Sequence, residues 1–415
     1  MSTPWWRNRL LIALLLSTSM LLGGLGLLQQ RQAKDAEPST AAHPLNPAMG
    51  DVGNSDLNSL LETAPKPWLL AQSLPLKGPS GHLGRQFSMG IDAVLRDVNA
   101  RGGIAGRPVK IWRLDDGYEP EASLRNTRLF AKQPEILALF GYFGTPTTHA
   151  SLPTATRAGL TVVAPLTGAS SLRPPAKSEL LHFRASYAEE AQRIVEHLVN
   201  DGFVRIGVAY QNDAYGKDVL ASTTAALERF GLTAIGTAPL PRNSIDTVEA
   251  SKQLAAVNPD ALVVISLSKT MASLVNNLHR LGSRPQLMTI SPTGTKALFE
   301  DLPQAAAYGV GVTQVVPFPW DGRHPDVADY QRLLRRQQAD VDFDFISLEG
   351  FLAARLITTA LDRAGKDPSR QDLVAALESI KDVDLGGFSL DMGREDHQAS
   401  DFVELTFLGS QNWEP

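Results

Sequence analysis

The 415-residue chain contains no cysteine. That absence excludes disulfides, thiolate metal sites, a thiol nucleophile and a lipid-bearing N-terminal cysteine. An excess of charge is also missing: the formal net charge is -5, and no basic stripe interleaved with aromatics appears, so nucleic acid is not an expected partner. Catalytic signatures are lacking too. There is no Gly-x-Ser-x-Gly elbow, no His-Glu-x-x-His pair and no P-loop, and the eight histidines fall in dissimilar segments. The glycine cluster "ARGGIAGRP" follows a helical pattern and precedes a strand, the reverse of a dinucleotide loop, and reads as a helix-ending turn. Asp115 and Asp116, before "GYEP", read as a solvated turn rather than a cation site. The expectation is a protein that is not an enzyme and needs neither metal nor cofactor.

Long apolar runs are confined to one place. Arg7 and Arg9 precede an uncharged, leucine-rich stretch from Leu10 to Leu28. A signal-peptide core runs to about 15 residues and a spanning helix needs about 20, so residues 1–29 read as a signal peptide or a signal anchor, with export in either case. Residues 30–66, rich in Pro, Ala, Ser and Asn, read as a linker in which only a short helix around Leu57 to Leu61 could form.

From Trp68 onward, short β-rich runs alternate with amphipathic helices, the pattern of parallel α/β units. "PWLLAQSLPL", "VKIWRL", "EILALF" and "LTVVAP" are strands of one lobe. "NDGFVRIGVAYQ" restarts the alternation, and "DALVVIS" and "QLMTIS" continue it in a second. The fold class is therefore α/β, with two doubly wound parallel-sheet lobes. Helices near Val327 to Gln338 and Ser347 to Ala364, and a last strand in "FVELTF", could complete either lobe.

Open parallel sheets bind ligands beyond the carboxyl ends of their strands. Two such ends here carry hydroxyls without charge: Gly144, Thr145 and Thr147 in "FGYFGTPTTHASLP", and Thr167, Gly168 and Ala169 in "TVVAPLTGASSLR". At helix N-termini these residues can hold a carboxylate or another polar group. Helix capping by Thr145 or Thr147, with Pro146 in the first turn, is the alternative use of the same residues.

Taken in order, "PLKGPSGHLGRQFSMGIDAVLRDVNARGGIAGRPVKIWRLDDGYEPEAS", "GYFGTPTTHASLPTATRAGLTVVAP", "LTGASSLR" and "YQNDAYGKD" resemble landmarks of the type I periplasmic binding proteins of the leucine/isoleucine/valine-binding family. The likeness covers roughly Pro67 to Pro415. It implies two lobes joined by a three-crossover hinge, with 67–185 and about 317–385 in lobe 1 and 186–316 and about 386–415 in lobe 2. It further implies that Thr145 and the Thr167–Ala169 loop grip a carboxylate, that Leu166 offers its carbonyl, and that Tyr215 covers the ligand from lobe 2. Where amino-acid binders of the family place an acid for the ligand's ammonium, this chain has Ser291, and an often aromatic position falls at Leu267. Either Asp213 or Glu349 replaces the acid, or the ligand is not an ordinary amino acid; the second reading is favoured. The implied role is a periplasmic solute-binding protein that captures an amino acid or organic acid for an ABC permease. The alternative is a ligand-sensing module held at the membrane by Leu10 to Leu28.

Overall fold

The computed structural model describes residues 56–173, 179–409 and 413–414. The expected export segment and most of the expected linker lie outside these residues. At the linker's end the expected short helix is present: Asp56 accepts hydrogen bonds from the amides of Asn58 and Ser59 and starts helix α1, Leu57–Leu61. Leu57, Leu60 and Leu61 then pack against the folded body. An N-cap and three leucines on a short turn are enough to bring order ahead of Pro67.

Five parallel strands form the first sheet: β1 (Trp68–Leu74), β2 (Val109–Asp115), β3 (Ile136–Phe140), β4 (Val162–Val163) and β5 (Leu180–Leu181), in the order β2-β1-β3-β4-β5. Between them run α2 (Gly81–Ala100), α3 (Pro120–Phe130) and α4 (Thr145–Arg157). α2 forms because Leu83, Phe87, Ile91, Val94 and Leu95 share one buried stripe. It stops at Gly102 and Gly103, whose positive φ lets the Gly103 amide bond back to the Val98 carbonyl at 3.0 Å.

After α5 (Tyr187–Asn200) the winding repeats. β6 (Ile206–Gln211), α6 (Ala214–Arg229), β7 (Thr237–Leu240), α7 (Val248–Val257), β8 (Ala261–Ile265), α8 (Ser268–Arg280), β9 (Gln286–Thr289), α9 (Thr295–Asp301), α10 (Gln304–Ala307) and β10 (Gly311–Gln314) follow in turn. The order β7-β6-β8-β9-β10 reproduces that of the first sheet. Two later strands extend this sheet antiparallel.

The chain first returns to lobe 1 as α11 (Pro325–Gln337), α12 (Phe345–Arg363) and α13 (Arg370–Glu378). α12 lies against α2 with backbones touching: a Cβ on Gly90 would come within 1.8 Å of the Ser347 carbonyl oxygen, and one on Gly350 within 2.1 Å of that of Phe87. A small hairpin, β11 (Val383–Asp384) with β12 (Ser389–Leu390), follows. Phe388, Leu390, Met392 and Ala399 all pack in the first core. The chain therefore goes back to lobe 2 after Ala399, later than the expected 386, because the hairpin is held in lobe 1: Phe388 stacks on Phe183, the Asp326 amide bonds to the Gly386 carbonyl and the Met392 amide to that of Ile380. Only then come β13 (Glu404–Leu408) and β14 (Trp413–Glu414). At the hinge, the first and third crossings are bonded together, His182 N to His397 O at 2.7 Å and Ala399 N to His182 O at 2.9 Å.

Candidate functional site

The two hydroxyl-bearing strand ends come together. Thr145 Oγ1 and Thr167 Oγ1 lie 2.7 Å apart, both fully buried, and Thr167 Oγ1 accepts the Ala169 amide at 3.2 Å. Neither Thr145 nor Thr147 caps α4. The cap is Gly144, at φ 90° and with no side-chain hydrogen bond. The Thr147 hydroxyl turns back onto the carbonyls of Phe143 and Gly144, so its proton is engaged with its own loop. The Leu166 carbonyl already accepts the Gly144 amide at 3.1 Å, which fastens the two loops and leaves it one lone pair. Gly168 is required by close approach: a Cβ there would meet the Tyr187 ring at 2.6 Å and the Tyr187 amide nitrogen at 2.7 Å.

Three tyrosines converge opposite these loops. Tyr215 of α6 is buried, its ring centroid 5.5 Å from that of Tyr187, and its hydroxyl has no partner among the described residues. Tyr118 packs against Gly144 and receives Gln211 Nε2 at 3.4 Å. Burial pushes all three phenols above their ordinary range, and neighbouring Asp213 adds to this for Tyr118 and Tyr215. Sequence reasoning missed Tyr118, Tyr187 and Gln211. "DDGYEP" looked solvated, but Asp116 is buried, accepting Ser73 Oγ at 2.8 Å and the Tyr118 amide at 2.9 Å. Burial raises its carboxyl to about 7. That hold, with Tyr118 at φ 64°, aims the ring inward.

The Ser291 corner is built differently. The Ser291 amide donates to Glu190 at 2.9 Å and its hydroxyl at 3.1 Å, and Thr313 Oγ1 donates to the same carboxylate at 2.6 Å. Arg184, in the first crossing and wholly buried, donates to Ser291 Oγ, pairs with Glu190 at 2.9 Å and reaches Glu349 at 3.4 Å. Burial disfavours the guanidinium's charge, but Glu349 and Glu190 outweigh it and hold its pKa above the usual value. Burial raises Glu349 to about 7, against the pull of Arg184. The two acids considered as replacements are thus both engaged: Glu349 with Arg184, and Asp213 as the cap of α6, accepting the amides of Tyr215 and Gly216 and Nε2 of Gln211. Glu190 could have been found from sequence, since Tyr187, Glu190, Ala191 and Ile194 share the buried stripe of α5.

Leu267 precedes α8 and packs in the same cluster as Tyr118 and Leu166. The lobes meet at both rims: Asp218 accepts the amides of Ser170 and Ser171, each at 2.9 Å, and Glu119 accepts Arg242 at 2.8 Å and Asn243 at 2.7 Å. Among the described residues, no group of three or more His, Asp or Glu side chains could hold a metal ion, and no helix is long and apolar enough to cross a membrane.

Residues 70–406 match the family model described as periplasmic binding protein. The Leu/Ile/Val-binding protein homolog 7 of Brucella melitensis is 21% identical over 346 residues, covering 79% of this chain and 86% of that protein. Among solved structures, a possible leucine/isoleucine/valine-binding protein from Rhodopirellula baltica superposes with a TM-score of 0.78 at 30% identity, covering 83% of this chain and 95% of that one. A substrate-binding periplasmic protein from Ralstonia solanacearum gives the same score and identity, covering 83% and 98%.

Proposed function

The chain belongs to the periplasmic binding protein family, which makes it an extracytoplasmic binding protein and not an enzyme, and from that premise we propose that it captures a small carboxylate-bearing molecule without an α-ammonium group and delivers it to an ABC permease. One observation carries the ligand class: the corner where an ammonium would be paired is filled by Arg184, and every acid beside it is already bonded. A ligand cation brought to Ser291 would face a guanidinium in a desolvated site, a loss of several kcal/mol. A carboxylate at Thr145, Thr167 and the unpartnered Tyr215 hydroxyl meets donors instead. Each charge-assisted bond of this kind contributes about 1.5 to 3 kcal/mol, so a few of them support micromolar binding after ordering costs. The relatives named for leucine, isoleucine and valine supply the fold, and the Ser291 corner argues for a different cargo. Calorimetry with amino acids and their deaminated analogues tests the reading. The expected result is binding of the 2-oxo, 2-hydroxy or aromatic acid over the matching amino acid; tight, stereospecific binding of an L-amino acid would overturn it.

A further inference from the structure

A second recess opens at the mouth of the interlobe cleft, with a volume of about 480 Å³. Lobe 1 contributes the Gly78–His82 turn that leads into α2. Lobe 2 contributes the Asn243–Ile245 loop and the N-terminus of α8, Leu267 to Thr270. No side chain caps α8, and its first backbone bond runs from the Met271 amide to the Leu267 carbonyl. The amides of Ser268, Lys269 and Thr270 therefore have no intrahelical acceptor and carry the positive end of the helix dipole. Ser268, fully buried, lines the recess with a hydroxyl that has no partner among the described residues. A buried hydroxyl without a partner is costly and calls for an acceptor or donor. His82 brings Nε2, also unpartnered, its Nδ1 facing the Pro79 carbonyl at 3.2 Å. Lys269 lines the recess. The charged groups acting on His82 are Asp301, Lys269 and Arg85, two cations against one anion.

We propose that this recess binds an oxyanion, a carboxylate or phosphate group, held by the α8 amides, the Ser268 hydroxyl, Lys269 and His82. The group is either the far end of the cleft's own ligand, in which case the inference rests on the function proposed above, or a free anion. Leu267 lines the recess and belongs to the same hydrophobic core as Tyr118 and Leu166.

The test uses the full chain, with the His82 ring resonance assigned by its loss in His82→Asn. Inorganic phosphate and straight-chain dicarboxylates of increasing length are titrated while that resonance is followed, and calorimetry compares each dicarboxylate with its monocarboxylate. The expected result is a saturable shift of His82 that is abolished in Ser268→Ala/Lys269→Gln, while monocarboxylate affinity is unchanged. A dicarboxylate of matching length that binds about tenfold or more tighter than its monocarboxylate assigns the group to the cleft ligand. A response to phosphate without that advantage assigns it to a free anion. If His82 is unmoved by phosphate and by every dicarboxylate, or moves equally in the double variant, the inference falls. Absence of all monocarboxylate binding would instead sink the cleft reading, since the His82 response is read separately.

Discussion

The two sheets are wound in the same order, yet their strand ends meet the cleft in opposite conditions. Beyond β3 and β4, Thr145 and Thr167 bond to one another, and the Tyr215 hydroxyl of the second lobe has no partner among the described residues. Beyond β9, Ser291 is already bonded to Glu190 and receives Arg184. One topological position is left available and its counterpart is occupied by the protein itself. Equivalent loops on repeated folds thus need not share a task, because what fills a loop's hydrogen bonds is set by residues outside the repeat.

The occupied corner breaks most severely. Arg184→Leu strands Glu190 beside Ser291 and leaves Glu349 without its cation, so it is expected to cost about 3 to 5 kcal/mol of stability in urea unfolding. The pH dependence has a definite sign. The carboxyl of Glu349 is raised in the fold to about 7 from its ordinary 4.5, so the native state holds a proton that the unfolded chain releases. The stability this gives is full below about 4.5 and is lost as pH rises through about 7. Unfolding at both ends of that window should therefore show a larger loss for the variant at the alkaline end; an equal loss at both would remove Glu349 from the account.

The available corner breaks mainly in binding. Thr145→Val with Thr167→Val replaces a mutually bonded pair by groups of the same shape but leaves the Ala169 amide without its acceptor, so unfolding is expected to cost about 1 to 3 kcal/mol. Affinity for the identified ligand should fall by about 2 to 4 kcal/mol through two lost hydroxyl contacts. Unchanged affinity would show that the ligand sits elsewhere. Tyr215→Phe sharpens the comparison with the smallest effect. Deleting a hydroxyl that has no partner among the described residues should leave stability equal or higher by about 0.5 to 1 kcal/mol, with about 1.5 to 3 kcal/mol lost in binding. A loss of stability on this change would mean that the hydroxyl serves the fold.

The Thr145 and Thr167 loops were legible because a β-branched run ending in Gly and hydroxyls before a helix is a local signal. The Ser291 corner was not: Arg184 and Glu190 stand 107 and 101 residues away in sequence, and nothing local announces a pairing over that span. Tyr118 was hidden for another reason. Two aspartates and a glycine imitate a solvated turn, and only the burial of Asp116, with its bond to Ser73, turns the phenol inward. Thr147 shows the converse, a hydroxyl in the right loop whose spacing lets it reach its own backbone. The alternation of strands and helices was readable throughout. The packing of α11 to α13 on lobe 1 was implied by the family resemblance alone, since the residues themselves left either lobe able to offer α12 a face.

The contact of Gly90 with the Ser347 carbonyl, and of Gly350 with that of Phe87, also fixes an order of events during synthesis. The first lobe's five strands are all made by Leu181, but the partner of α2 is not made until α12 has been translated. Until then the Gly90 side of α2 has no cover, whereas β6 through β10 of the second lobe are consecutive in the chain and can assemble on their own. The lobe that begins first waits for an element made late in the chain. Such delayed closure through contacts distant in sequence slows folding and prolongs exposure of apolar surface. A chain bound for the far side of a membrane gains from it, because its first lobe stays open to holding factors while most of its length is being made.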